Sequence, residues 1–287
     1  QAGKRVAAIV LRRVAMLNVG GLDWDRPSIE QLGAYSGGMF GLLPLYLRDV
    51  GWQVEALAAE ELPNFDRKRA QVLVMINCHR IWTDAERARL EEFVRVGGSL
   101  LLLGDHTDVF GLMKGFNSLT LPWGIEFRYD SAYHTGQGWN DDLAWQAGAL
   151  GPWHDFRQAG IGIGASLALQ APARSVLTAR FGFSDQGDPF NVPGSFLGDY
   201  QHEPGERAGD LTLIASSHLG RGRVVVYGDT SGFQNGPMPF TFASHVAPVF
   251  ELLARPPRFS LPFLLESVLA ILAAGAILAV LLLGGCA

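Results

Sequence analysis

Apolar and polar residues alternate along the first hundred positions in blocks that predict strands and helices in turn. Continuous apolar runs at 71–77 and 99–103 predict strands that are buried on both faces of a sheet. Between them Thr83 and Glu86 form a capping box, and apolar residues follow at helical spacing until a glycine pair ends the helix. Short strands that alternate with helices join through right-handed crossovers. The pattern therefore predicts an α/β fold, with a parallel sheet covered by helices on both faces.

Other periodic segments extend this pattern towards both ends of the chain. Strands are predicted within 5–19 and at 52–57, 211–216 and 223–227, the last two as a hairpin, and helices at 39–50 and 242–253. The middle of the chain, about 110–210, is rich in Gly, Pro, Trp and Asp and has weak periodicity. We interpret this part as a loop-rich insertion with a few strands, for example at 166–169 and 175–183.

The last apolar block is too long for an ordinary core helix. Residues 267–287 contain no charged side chain. A helix of about 20 apolar residues crosses the hydrocarbon core of a bilayer, whereas buried core helices seldom run so far without a polar face. The sequence therefore predicts a domain over 1–258 and one transmembrane helix over 261–287, with the lipid bilayer as a partner.

The side of the membrane on which the domain lies is a separate expectation. Arg255 and Arg258 precede the predicted span, and a positive-inside count favours the cytoplasm, but that rule is weak beside a large domain. The sequence begins with Gln1, which suggests a processed leader or an earlier part of a longer chain. We expect the domain on the extracytoplasmic side.

Charge and cysteine content narrow the classes of function. The net charge of −5 provides no basic footprint for nucleic acid, so no nucleic-acid partner is expected. Cys78 and Cys286 are the two cysteines, and Cys286 lies in the predicted span, which excludes a disulfide framework. We expect no cofactor.

Candidate chemistry is expected at the ends of the strands, because ligands of open α/β sheets bind beyond the carboxyl ends of parallel strands. Two strand ends are near copies, LLLLGDHT at 100–107 and VVVYGDTS at 224–231. If these strands are neighbours, the carboxylates of Asp105 and Asp229 lie close together at one rim of the sheet. The candidate ligand-binding residues are Asn18, His79, Asp105, His106, Asp229 and Thr230, and Asp105, His106 and Asp229 are also the candidate catalytic residues.

Three interpretations of this rim remain open. Cys78 and His106 with a supporting Asp would suit nucleophilic catalysis, since a thiolate needs an adjacent base. A metal site would use the oxygen and imidazole ligands of Asp105, His106 and Asp108, with His134 or His154 from farther along the chain. Alternatively, Asp105 and Asp229 cap turns by accepting nearby backbone N–H groups. The glycine-rich stretch at 160–166 has no following helix and no lysine, so it is not a phosphate loop.

Four tryptophans lie in the irregular middle of the chain: Trp123, Trp139, Trp145 and Trp153. Aromatic faces near carboxylates suit stacking on sugars. They also suit packing of the insertion or an interface with a partner, which is the interpretation we favour.

The segments 71–105 and 220–235 together resemble the class I glutamine amidotransferase-like superfamily, in particular its membrane-associated branch of gliding-motility and ABC-transporter auxiliary proteins. The resemblance implies a flavodoxin-like sheet and a membrane setting. Members use a cysteine in a Gly-x-Cys-x-Gly elbow and a late His-Glu pair. Here the turns are Gly104-Asp105-His106 and Gly228-Asp229-Thr230. The resemblance therefore implies loss of the ancestral activity.

The leading functional hypothesis is a non-catalytic, membrane-anchored binding or scaffolding domain, an accessory subunit in a bacterial envelope complex with other membrane-protein subunits as partners. The rival is an envelope hydrolase acting on a glycan or similar substrate through Asp105, His106 and Asp229. A ligand sensor coupled to a transporter is the third possibility.

Overall fold

The computed structural model of the protein describes residues 11–19, 40–111, 114–136, 139, 143–145, 161–255 and 272. The chain divides into two units, 1–256 and 257–287, and the elements below all belong to the first. Apart from Leu272, the predicted transmembrane segment lies outside the described residues. Within the described ranges, no helix combines the length and apolar character that crossing a membrane requires.

One mixed sheet of eleven strands forms the centre of the first unit. The strands are β1 (Arg13–Asn18), β2 (Gln53–Ala58), β3 (Val72–Ile76), β4 (Ser99–Leu103), β5 (Ile125–Phe127), β6 (Ser131–His134), β7 (Leu143–Trp145), β8 (Leu167–Leu169), β9 (Arg174–Asp185), β10 (Ala208–Leu219) and β11 (Gly222–Tyr227). The order across the sheet is β2-β1-β3-β4-β11-β10-β8-β5, and β9 pairs with β10, β6 and β7. The first five strands in this order are parallel, and the others are antiparallel to their neighbours.

Helices cover both faces of the sheet. They are α1 (Leu42–Asp49), α2 (Asp84–Arg95), α3 (Phe116–Thr120), α4 (Met238–Thr241) and α5 (Ala247–Ala254). Successive side chains of a strand point to opposite faces. Ala15 and Leu17 accordingly pack in the core beneath α2 and α3. Val14 and Met16 pack in the other core, with α1 and α5. The predicted α/β architecture with helices on both faces is confirmed.

The expectation of a parallel sheet is only partly right. The region assigned to a loop-rich insertion supplies β5 to β9, which pair antiparallel. The strands predicted at 166–169 and 175–183 correspond to β8 and β9. β5 and β7 have three residues each, too few to show a period. The pairing of β9 with β10 also contains register shifts near Leu211 and Ile214, and such bulges interrupt the alternation that marks a strand.

Prolines explain two differences in the helices. α1 begins at Leu42 rather than 39, which puts Pro44 in the first turn, where its missing N–H costs no hydrogen bond. The helix predicted over 242–253 is divided: a π-helix at Phe242–Val246 follows α4, and α5 begins with Pro248 in its first turn. The capping box predicted for α2 is confirmed, because Thr83 accepts the N–H of Glu86 and Glu86 accepts the N–H of Thr83.

Candidate functional site

Asp105 and Asp229 lie together at the carboxyl edge of the sheet. β4 and β11 are parallel neighbours, with Leu103 opposite Tyr227. Each aspartate comes two residues beyond this pair, so the near-copy sequences end side by side. The Thr230 hydroxyl donates to Asp105 Oδ2 at 2.9 Å. The structure thus brings together Asp105, His106, Asp229 and Thr230, and we call the two carboxyl groups the acid pair.

Both carboxyl groups of the acid pair hold neighbouring loops. The N–H of Ser231 donates to Asp229 Oδ1 at 2.7 Å, and the N–H of Gly162 donates to Asp229 Oδ2. The N–H of His106 donates to Asp105 Oδ1 at 3.0 Å, and the Asn77 side chain also hydrogen-bonds to this carboxyl. These bonds match the turn-capping interpretation of the two aspartates.

Burial dominates the electrostatics of the acid pair. Asp229 is 1% exposed, and the side chain of Asp105 is 19% exposed. Loss of hydration raises the pKa of Asp105 to about 6 and the pKa of Asp229 to about 7, the latter also through repulsion by Asp105. Hydrogen bonds from Thr230 and Ser231 oppose these shifts. Because two like charges disfavour each other, the pair retains protons close to neutral pH and titrates as a unit.

His106 is held by hydroxyl groups rather than by a carboxylate. Its Nδ1 lies 3.0 Å from Thr107 Oγ1 and 3.4 Å from Ser131 Oγ, and these two hydroxyls are 2.8 Å apart. Its Nε2 is 3.8 Å from Asp105 Oδ1, beyond hydrogen-bond distance. Burial lowers the pKa of His106, partly offset by the negative charge of Asp229, so the imidazole is favoured in its neutral form.

The glycine-rich stretch set aside as a phosphate loop packs against the acid pair. A Cβ at Gly164 would lie 2.8 Å from Asp229 Cβ and 2.9 Å from the carbonyl oxygen of Gly228. The N–H of Ala165 donates to this carbonyl at 2.8 Å. Glycine is therefore needed here for close approach of two backbones. Alternate glycines at 160–164 were the available signal, but the sequence does not show which strand end they approach.

An aromatic cavity of about 530 Å³ adjoins the acid pair through Gly162. Its rings come from Tyr133, Trp139, Phe183 and Tyr200. The ring of Tyr133 lies 4.6 Å from that of Tyr200 and 5.6 Å from that of Phe183. Trp139 Nε1 donates to the carbonyl oxygen of Gly162 at 3.3 Å. Among the described residues that line it, none is Asp, Glu, Lys or Arg, so the cavity suits an uncharged, partly apolar occupant.

Other predicted site residues lie apart from the acid pair. Asn18 is the last residue of β1 and His79 comes three residues after β3, at the same edge, and both are exposed. Cys78 is fully buried, and its Sγ lies 3.6 Å from the carbonyl oxygen of Ile76. Burial raises the pKa of this thiol to about 12, so the hypothesis of a Cys78/His106 nucleophile pair is wrong.

The metal hypothesis finds no support within the described residues. They contain no group of three or more His, Cys, Asp or Glu side chains that could hold a metal ion, so Asp105, His106 and Asp108 do not form one. His134 lines the aromatic cavity, and His154 lies outside the described residues.

The tryptophans have separate roles. Trp123 is buried in the core under α2 and α3, and Trp139 lines the cavity. The side chain of Trp145 and all of Trp153 lie outside the described part of the chain.

Comparison with solved structures shows similarity at the level of the fold. The mmIFT52 N-terminal domain superposes with a TM-score of 0.53 and 15% identity, covering 84% of this chain and 97% of that domain. Cytoplasmic protein STM1381 from Salmonella typhimurium LT2 gives a TM-score of 0.44 and 10% identity, over 85% of this chain and all of that one. Exo-beta-1,4-mannosidase Op5Man5 from Opitutaceae bacterium strain TAV5 gives 0.44 and 13%, over 86% of this chain and 37% of that one. A comparison with curated proteins finds no significant match.

Family comparison overturns the resemblance inferred from the sequence. The family described as "Domain of unknown function (DUF4350)" matches residues 42–238, well over half of the chain. Together with the structural neighbours, this match gives no support to a glutamine amidotransferase-like domain, and that expectation is wrong. The misleading motif was a buried strand, a capped helix and a second buried strand, a succession that many α/β folds share. The chain belongs to the DUF4350 family.

Proposed function

We propose that this chain is a membrane-anchored, non-catalytic binding domain and an accessory subunit of a larger membrane complex. Its docking surface comprises the aromatic cavity and the loop between β9 and β10, residues 186–207, and its partner is another protein subunit. The apolar segment 261–287 is the proposed anchor. The five parallel strands follow the order of flavodoxin-like sheets, which supports placing the domain in that class of fold.

The observation that carries this proposal is apolar surface on the β9–β10 loop. Phe190 is 70% exposed and Val192 57% exposed. Tyr200, in the same loop, is 58% exposed and also lines the cavity. Large exposed apolar side chains, in a loop that contributes Tyr200 to an aromatic cavity, are typical of a protein-binding surface.

The shape of the β9–β10 extension suits docking. Ile214 of β10 pairs with Tyr227, at the carboxyl edge of the parallel strands. From there β10 continues to its first residue, Ala208, which pairs with Phe183. At the rise of a β-strand, these six residues carry the loop about 20 Å beyond that edge.

Charge in this loop indicates the chemistry of the partner. Residues 186–207 contain one basic residue, Arg207, and four acidic residues, Asp188, Asp199, Glu203 and Glu206. A complementary surface would present an uncharged apolar group to the cavity and Lys or Arg around it.

The hydrogen bonds of the acid pair favour binding over catalysis. Each oxygen of Asp105 and Asp229 already accepts a hydrogen bond from the protein. Such bonds make the rim beside the cavity rigid, which reduces the entropy lost on docking. The buried Cys78 thiol is also unsuited to act as a nucleophile.

Purification from the native membrane in mild detergent tests this proposal. The wild type and the control Leu121→Ser, which alters an equally exposed apolar residue (52%) outside the loop, should retain a stoichiometric partner. The double variant Phe190→Ser/Val192→Ser should weaken the complex about tenfold or more at an unchanged Tm. A monomeric wild type, or a double variant that retains its partner equally, would refute the docking surface.

The raised pKa values of the acid pair favour one second candidate, an envelope hydrolase with a glycan or similar substrate. Isolated envelope glycan provides the test. Cleavage by the wild type that disappears in a folded Asp105→Asn variant would replace the binding proposal with this one.

A further inference from the structure

The amino edge of the sheet, opposite the acid pair, carries a group of exposed basic side chains. The parallel strands begin here: β1 begins at Arg13, β11 begins directly after Arg221, and the segments that lead into β3 and β4 also contain basic residues. The exposed side chains are Arg12, Arg67, Lys68, Arg95, Arg221 and Arg255, and we call them the basic edge. Arg174, at the start of β9, is also exposed at this edge, since β9 runs in the direction of β11.

Local contacts confirm that these residues share one edge. Arg67 Nε donates to the carbonyl oxygen of Gly97, just after α2, at 2.8 Å. The N–H of Arg221 donates to the carbonyl oxygen of Arg95 at 3.0 Å. Arg12 forms an ion pair with Glu251 of α5. The loops before β3, β4 and β11 therefore converge with the end of α5.

Acidic residues at this edge are fewer and mostly engaged. Glu91 pairs with Arg95, and Glu251 pairs with Arg12 and lies 4.0 Å from Arg255. Asp66 accepts the backbone N–H groups of residues 68 and 69. Asp49 and Glu92 are exposed nearby. Positive charge is thus in excess at this edge, although the whole chain has a net charge of −5.

The described domain also ends at this edge. α5 finishes beside the starts of β4 and β11, because Ser99 Oγ donates to the carbonyl oxygen of Leu253 at 2.7 Å and Arg223 donates to that of Arg255 at 3.0 Å. Arg223 is 3% exposed, and burial lowers its pKa to about 10. The apolar segment begins six residues after Arg255, so only a short stretch of sequence separates this residue from the proposed anchor.

We propose that the basic edge is a docking surface for anionic lipid headgroups. Lys and Arg next to a membrane anchor are attracted to phosphate-bearing headgroups, while the apolar segment keeps their local concentration high. The inference rests on the proposed membrane anchoring and adds to it a lipid specificity, a salt dependence and a defined face of the domain.

The test uses the full chain with vesicles of phosphatidylcholine alone or with phosphatidylglycerol, and measures flotation and backbone hydrogen exchange at 66–71 and 218–223. We expect flotation with both lipids, and slower exchange at these segments only with phosphatidylglycerol. High salt should remove this protection. The double variant Lys68→Gln/Arg221→Gln should reduce the protection from exchange about fivefold for each residue changed. The control Arg128→Gln/Arg180→Gln, which removes two exposed charges elsewhere, should retain it.

The outcomes separate this inference from the anchor. Flotation with both lipids but identical exchange overturns the lipid-docking edge and leaves the anchor intact. Flotation with phosphatidylglycerol alone supports the edge and refutes the anchor, and flotation with neither refutes both. Protection produced by a DNA duplex instead of anionic lipid would also overturn the inference.

Discussion

Replacing Asp105 with asparagine should stabilise the protein at neutral and alkaline pH. The folded state raises the pKa of this carboxyl from 3.8 to about 6, mainly by burial. Between these values the folded state binds more protons than the unfolded state, so this group's contribution to stability falls as the pH rises. The shift corresponds to about 3 kcal/mol of unfavourable free energy once Asp105 is ionised.

The Asp105→Asn variant would keep most of the local hydrogen bonds. The carbonyl oxygen of its new side chain can still accept the N–H of His106, and the amide can donate to the Thr230 hydroxyl, which also acts as an acceptor. Two charge-assisted bonds become neutral and weaker, so we expect a net gain of about 1–2 kcal/mol at pH 8. At pH 4, where Asp105 is largely protonated, the gain should vanish.

The assay is urea-induced unfolding of the full chain in mild detergent between pH 4 and 8, followed by tryptophan fluorescence. The difference between variant and wild type reports the charge of Asp105 together with its effect on the pKa of Asp229, because groups that do not interact with Asp105 cancel. Asp210→Asn, at an exposed position, is the control for removing a carboxylate from the surface. If Asp105→Asn destabilises the protein at pH 8, or shifts stability equally at pH 4 and 8, the proposed cost of the buried charge is refuted.

Three further predictions concern the core and the glycine loop. His245 packs against Tyr227 and Phe233, and burial lowers its pKa to about 4. Protonation of this histidine therefore favours the unfolded state. As the pH falls from 6.5 to 4, the free energy of unfolding of His245→Phe should rise relative to the wild type by up to about 3 kcal/mol. If urea titrations give the same difference in free energy of unfolding between variant and wild type at both pH values, this prediction is wrong. Gly164→Ala places a Cβ against Asp229 and should lower the free energy of unfolding by about 1–3 kcal/mol. The control Gly236→Ala, whose Cβ would have no atom within 4 Å, should leave the Tm almost unchanged. Equal Tm values for the two variants would contradict the close approach of Gly164 to Asp229. In a Cys286→Ala background, Cys78 should react with iodoacetamide only as fast as the protein unfolds, and rapid labelling of the folded chain would show that the thiol is accessible.

The sequence predicts the local part of this structure well. The apolar run 99–103 coincides with β4, and the Thr83/Glu86 capping box begins α2 as expected. Both signals depend on near neighbours in the chain. The similar ends of β4 and β11 also suggested that Asp105 and Asp229 meet, and their strands are adjacent.

The remainder depends on contacts between distant parts of the chain. Gly162 donates to Asp229, 67 positions away, and nothing in the glycine pattern identifies that partner. Tyr133 and Tyr200, 67 positions apart in the irregular middle, both line the cavity, and their rings are in contact. Cys78 looked available at a strand end, but the turn of the backbone directs its sulfur into the core.

The two edges of the sheet have different charge for a reason that follows from the fold. Parallel strands place all their starts at one edge and all their ends at the other, about 16 Å apart for a strand of five residues such as β4. The edge where the parallel strands start has exposed Arg and Lys side chains. The edge where they end has the acid pair, and the aromatic cavity and the acidic β9–β10 loop lie on the same side. If anionic lipid holds the basic edge, the docking surface must point away from the bilayer. A partner would then dock on the β9–β10 loop, where Phe190, Val192 and Tyr200 are exposed.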